Sequence, residues 1–319
     1  MKNIAILGCG NLGRRHLQSA VKTQQALNIY VYDINQDVFT LAKELLDGSP
    51  TFQGTSVTYV TELINLPKKL DVVVIASSSS GRRKLIEDLL AVSEVKYLIL
   101  EKVLFQSFAD YDYVQNLIDA KKITTYVNCP RRYYPIYNGL KKTLQNKQFS
   151  FYLHGGNWGL ACNFIHYLDL LSFLGGQTPI EIDISSLDDE IIDSKRAGYK
   201  EITGMIKGSI GNCNRFVIKS DKQNEGGNIL FIDSDDEKIV IKETENLVYR
   251  ISEDSITCDK FKVLYQSELT EKYIESLLLN GTCGLTPYEE SAILHKAFIG
   301  PLTDYFEQRG IKERLCPIT

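Results

Sequence analysis

Residues 3 to 16 read Asn-Ile-Ala-Ile-Leu-Gly-Cys-Gly-Asn-Leu-Gly-Arg-Arg-His. The apolar run Ile4, Ala5, Ile6, Leu7 suits a parallel strand buried on both faces, and it passes directly into Gly8, Gly10 and Gly13 and then into helix-forming residues. This is G-x-G-x-x-G at a strand-to-helix turn. Gly8 permits the tight turn, Gly10 lets the backbone approach a pyrophosphate, and Gly13 lets helix and strand pack closely. The unpaired N–H groups of the first helical turn, around Asn11 and Leu12, face the anion. A second strand, near residues 28–32, ends in Asp33, twenty residues beyond Gly13. A carboxylate there hydrogen-bonds the ribose hydroxyls of the adenosine half and repels a 2′-phosphate, so NAD is expected rather than NADP.

Working outward, strands and helices alternate. Residues 36–47 read as a helix, 57–60 as a weak strand, 61–66 as a short helix and 71–76 (Asp-Val-Val-Val-Ile-Ala) as a central parallel strand. That strand stops at four serines, Ser77, Ser78, Ser79 and Ser80. A helix over 82–92 leads to a strand that stops at Glu101-Lys102, and a further strand covers 123–127. Such alternation means a doubly wound parallel sheet, whose ligands lie beyond the carboxyl ends of the strands. Those ends supply the candidate cofactor residues: Gly8, Gly10, Asn11, Leu12, Gly13, Asp33, Ser77, Ser78, Ser79 and Glu101. Arg82 and Arg83 either meet a phosphate or are solvated first-turn residues.

The second half has a different pattern. Pro135 opens a helix, a strand near 149–153 runs through Gly155-Gly156 into a helix near 159–174, and six β-like segments follow between 180 and 251. Short turns between them require antiparallel pairing. Helices near 268–279 and 287–308 close the chain. We therefore expect two domains, 1–128 and 129–319, and a sheet covered on one face only, a common origin of homodimers or homotetramers.

Composition narrows the class. At 319 residues and 44% hydrophobic content the chain can fill two cores. A net charge of −4 gives no basic field for nucleic acid or an anionic membrane. No signal peptide is recognisable and no apolar run reaches the roughly 20 residues of a membrane span, so a cytoplasmic protein is expected. Seven scattered cysteines without a C-x-x-C pair fit reduced thiols better than disulfides or structural zinc.

The succession G-C-G-N-L-G-R-R-H, D-V-V-V-I-A-S-S, a strand ending in E-K, R-R-Y-Y-P, and a helix carrying H-Y-L-D-L-L resembles the Gfo/Idh/MocA oxidoreductases, over residues 1 to about 176. The resemblance implies an N-terminal Rossmann domain, a C-terminal α/β domain on a large, mostly antiparallel sheet, a nicotinamide cofactor, and a sugar or nucleotide-sugar substrate. It implies that Lys102 exchanges a proton with the substrate hydroxyl, since burial and a cationic ring both disfavour the ammonium. The plain alternative is a surface lysine. Val103 stands where the family has proline; a non-proline cis bond costs about 3 kcal/mol, so the backbone after Lys102 is expected to differ.

His166 matches the histidine of the family's D-x-x-x-H pair, two residues on one helical face. The aspartate position is Cys162, with Asn163 the nearest polar substitute. His166 is thus a base without its usual partner, or a packed histidine; Cys162 and His166 alone do not make a metal site. Arg132, Tyr133 and Tyr134 align with the R-F-x-P segment and are expected to line the interdomain cleft. Trp158 either stacks on a substrate at the pocket mouth or is core. The leading expectation is an NAD-dependent oxidoreductase acting on a CH–OH group. The alternatives are a non-catalytic NAD-binding sensor acting through a protein partner and, behind it, a reductase for a cyclic imine or tetrapyrrole.

Overall fold

A computed structural model describes residues 1–223, 227–311 and 314–319. The chain runs β1 (Lys2–Leu7), α1 (Asn11–Ala20), β2 (Leu27–Tyr32), α2 (Val38–Leu46), β3 (Ser56–Val60), β4 (Lys69–Ile75), α3 (Arg82–Val92), β5 (Glu94–Glu101), α4 (Phe108–Ala120) and β6 (Thr124–Asn128). It continues through α5 (Pro135–Thr143), β7 (Phe149–Gly156), α6 (Leu160–Gly175), β8 (Ile180–Asp193), β9 (Lys200–Ile210), β10 (Cys213–Asp221), β11 (Ile229–Ser234), β12 (Lys238–Lys242), β13 (Leu247–Ile251) and β14 (Ile256–Lys260). It ends with α7 (Thr270–Asn280), β15 (Thr286–Pro287) and α8 (Tyr288–Gln308). No described helix is long and apolar enough to cross a membrane.

Two compact units result. The first holds residues 1–105, 109–130 and 264–289; the second holds 106–108, 131–263 and 290–319. A single crossing after residue 128 is therefore corrected, because residues 264–289 return to the first unit. Hydrogen bonds explain the return: the Ser19 hydroxyl accepts from Glu271 N at 2.9 Å, and Glu275 accepts from Gln24 N at 2.7 Å. β15 then adds to β6 as an antiparallel edge.

The first unit is a Rossmann-like sheet of order β15-β6-β5-β4-β1-β2-β3, parallel except for β15. Ile4, Ala5, Ile6 and Leu7 of β1 and Val72 to Ile75 of β4 are wholly buried, as strands covered on both faces must be. α4, absent from the sequence expectation, fills the crossover between β5 and β6 that a parallel pair needs.

In the second unit eight strands lie in the order β14-β13-β12-β11-β7-β10-β9-β8, antiparallel except for β7 beside β10. One face is core: Phe151, Leu153, Phe216, Ile218, Ile232 and Ile241 are buried. The opposite face carries a row set by register, Val217, Tyr152, Phe231, Val240 and Tyr249, all half-exposed. α6, buried along nearly its whole length, lies on the core face against β9 and β10.

Close packing at the first turn is the tightest constraint. A Cβ on Gly13 would stand 1.8 Å from the Gly8 carbonyl oxygen. Gly13→Ala must push α1 off β1, an overpacking penalty of about 1–3 kcal/mol, and should lower the thermal midpoint by roughly 5 °C. Thermal unfolding followed by circular dichroism checks this, and an unchanged midpoint would contradict the packing.

Candidate functional site

The glycine turn is built as its sequence requires. Gly8 has a φ of 97°, and its N–H donates to Tyr32 O at 2.8 Å, tying the loop to the end of β2. Gly10 differs from its neighbours: a Cβ there would meet no protein atom within 4 Å. Its open face is a cradle that a side chain would fill, as expected where a ligand's phosphates approach the backbone.

Asp33 closes the other side. Its Oδ2 accepts from Cys9 N at 2.7 Å and its Oδ1 from Asn35 N at 3.0 Å, so both oxygens are fixed while each keeps a lone pair for a ribose hydroxyl. Arg14 braces the same loop through Cys9 O at 3.2 Å and Asn11 Oδ1. Burial, with Asp33 beside it, pushes the Cys9 thiol up to about 11, which leaves it unreactive.

Glu101 is turned inward rather than toward a cofactor. Its carboxylate, 3% exposed, accepts from His16 Nε2 at 2.8 Å and from Asn128. His16 Nδ1 lies 2.8 Å from Thr270 Oγ1, and Gln266 bridges Asn128 and Thr270, at 2.8 Å to each. One assignment of hydrogens satisfies the circuit: Asn128 donates to Gln266 and Glu101, Gln266 to Thr270, Thr270 to His16 Nδ1, and His16 Nε2–H to Glu101. Burial alone would raise the Glu101 pKa, but the His16 and Asn128 bonds outweigh it and hold it below the usual carboxylate value.

Arg82, the first residue of α3, is 1% exposed and is neither solvated nor turned to a phosphate. Its guanidinium donates to the carbonyls of Glu101 at 2.5 Å and Leu104 at 2.9 Å, and to those of Val103 and Ser77. The Lys102–Val103 peptide is cis despite the valine, so the departure expected from the missing proline is not found. Lys102 is half-buried, Ser77 and Ser78 are half-buried, and Ser79 is buried.

The remaining candidates belong to the second unit. Arg132 is spent on structure: Nε and Nη2 each donate to Asp169 at 2.9 Å, and Nη2 also bonds Glu290. Trp158 donates Nε1–H to Lys219 O at 3.1 Å and packs edge-on against Tyr167. Asn163 donates to Trp158 O at 2.9 Å. Tyr133 and His166 are half-buried, whereas Cys162 is buried.

Glu201 was missed by the sequence reading. From β9 it accepts from Ala161 N at 2.8 Å and Cys162 N at 3.2 Å, capping α6, whose own N-cap residue, Gly159, has no side chain to do so. Burial raises its pKa, while the Cys162 thiol and the helix N–H groups pull it back. A carboxylate thus stands against position 162, supplied by a neighbouring strand. The sequence offered little sign of it, since β9 also carries Lys200, Thr203, Lys207 and Ser209.

Residues 2–129 match the family model described as an oxidoreductase family with an NAD-binding Rossmann fold. That model is the Gfo/Idh/MocA one, and it ends just after β6. Among curated proteins none matches the sequence. Solved structures share the fold of nearly the whole chain. An oxidoreductase from Agrobacterium radiobacter in complex with NAD+, L-tartaric acid and magnesium is 16% identical, with a TM-score of 0.70 over 93% of this chain and 94% of that one. A UDP-N-acetylglucosamine 3-dehydrogenase from Acidithiobacillus ferrooxidans is 13% identical, TM-score 0.69, over 94% and 96%. The transcriptional regulator Gal80p from Kluyveromyces lactis is 14% identical, TM-score 0.74, over 96% and 90%. The fold that these proteins share therefore spans both units, and among them are a dehydrogenase and a transcriptional regulator.

The Glu101 circuit has a pH signature. Because the folded pKa lies below the unfolded one, its stabilisation is full above about pH 4.5 and is lost as pH falls through the folded value. Glu101→Gln should cost about 3 kcal/mol near neutrality, and denaturant titrations should show the gap to wild type closing below about pH 4. A gap that persists at low pH would contradict an ionised Glu101.

Proposed function

We propose that the chain is an NAD-dependent oxidoreductase acting on a sugar or nucleotide-sugar at a CH–OH group. The observation that carries this is the Gly8–Gly13 turn with Asp33 fixed beside it and Lys102 at the end of a strand in the same unit. Gly10, with no protein atom in the path of a side chain, fits a dinucleotide pyrophosphate. Bound NAD would accept or donate hydride at nicotinamide C4. The chain's own part is to hold the pyrophosphate on the turn's N–H groups, to hold ribose hydroxyls on Asp33, and to exclude a 2′-phosphate by the charge of that carboxylate. Lys102 moves the substrate hydroxyl proton at Nζ, and His166 is the second proton-handling group.

A regulatory reading has its own support. Arg132, Trp158, Cys162 and Asn163 are engaged in internal contacts, and a protein of the same fold is a transcriptional regulator. One experiment separates the two. Wild type is titrated with NADH and NADPH by fluorescence, then tested with a panel of free and nucleotide-linked sugars at 340 nm, alongside Lys102→Ala. We expect tighter binding of NADH, steady turnover with one class of sugar, and a loss of about a hundredfold or more in the variant with NADH binding retained. Binding without turnover across the panel would favour the sensor, and undiminished turnover in the variant would remove Lys102 from the chemistry.

The half-exposed row from Val217 to Tyr249 supports a homodimer or homotetramer built on that sheet face. Light scattering should give at least twice the chain mass, and Phe231→Glu should reduce it. A monomeric wild type would contradict the assembly.

A further inference from the structure

Arg82 occupies a place that ordinary helix energetics disfavour. A cation in the first turn of α3 opposes the helix macrodipole, and at 1% exposure it has also given up its water. Both penalties are offset by what the guanidinium touches, and four of its acceptors are the backbone carbonyls of Glu101, Val103, Leu104 and Ser77. Two of these, Glu101 O and Val103 O, flank Lys102 on either side. The fourth, Ser77 O, lies at the end of the neighbouring strand β4, the first of the serines expected at the cofactor. Nη1 serves the last carbonyl of β5 and two beyond it, and Nη2 serves one after β4, so a single rigid plane sets the spacing of two strand ends. A lysine ammonium is a point donor on a flexible stem and cannot reproduce that fork.

We propose that Arg82 is the positioning residue for Lys102: its guanidinium fixes the backbone on both sides of the lysine and ties that segment to the turn after β4. The proposal rests on the oxidoreductase reading for its meaning, though not for its test. Glu101 completes the arrangement from the opposite direction, its carboxylate anchored on His16 and Asn128 while its carbonyl is held by Arg82. The lysine side chain then springs from a segment whose neighbouring backbone is immobilised, as a group that must meet a reacting atom within a fraction of an ångström requires.

The test compares Arg82→Met and Arg82→Lys with wild type in the full-length protein. The readouts are the acetylation rate of Lys102 relative to exposed Lys69 at one pH, NADH titration, and thermal unfolding. We expect Arg82→Met to remain folded, to bind NADH within threefold of wild type and to change the relative Lys102 rate at least fivefold. Arg82→Lys should recover part of that change, and so should 20 mM guanidinium added to Arg82→Met. With any sugar that the panel finds active, kcat should fall at least tenfold while KM for NADH stays within threefold. A folded Arg82→Met with wild-type Lys102 labelling overturns the proposal. If that variant does not fold, Arg82→Lys decides on the same readout, with at least a twofold change expected and a wild-type rate overturning it. Failure of wild type to bind NADH would remove the oxidoreductase reading while the labelling comparison still tests Arg82.

Discussion

A buried carboxylate and a buried guanidinium converge on the end of β5, and the chemistry assigned to the first unit depends on how they hold it. Glu101 points its side chain to His16 and Asn128, and its carbonyl to Arg82. Neither charge could be kept out of water alone; the Glu101 carboxylate is held by His16 and Asn128, and the Arg82 guanidinium by backbone carbonyls. The hydrogen-bond circuit also joins α1, β5, β6 and the segment before α7, which is why residues 264–289 belong with the nucleotide-binding sheet although they follow the second unit's strands in sequence. Lys102, the next residue after Glu101, inherits its placement from both.

The fold was largely legible because its signals are local. Glycine spacing, a β-branched run ended by serines, and an acid closing the second strand each follow from short-range geometry, and the parallel sheet appears where they place it. The large second sheet was legible as a series of alternating segments, although β14, exposed along its length, carried no apolar pattern to betray it. What escaped depends on side chains meeting across long stretches of chain. Arg82 reaches residues 101–104, Glu201 reaches the start of α6, and Gln266 and Thr270 reach His16; no spacing rule connects such positions. The cis bond after Lys102 escaped for a different reason, since the sequence rule for it refers to proline and the chain has valine.

The same contacts qualify the candidate substrate residues. Arg132 balances Asp169 and Glu290, and Arg131, stacked on Tyr167, balances Glu243, so both arginines serve the second unit's own structure. Cys162 leans on Glu201, which brings a carboxyl group from β9 to the start of α6. The first turn of the helix bearing His166 is therefore capped from a neighbouring strand rather than from within.

The proposed chemistry requires the opening turn to bind a dinucleotide whose reactive ring faces the amine just beyond the end of β5. A crystal structure of the protein with bound NADH measures it directly. Pyrophosphate is expected on the amides of residues 10–13, ribose hydroxyls on Asp33, and the nicotinamide ring beside Lys102 Nζ. Density for the nicotinamide elsewhere, or an amine directed away from the ring, would contradict it.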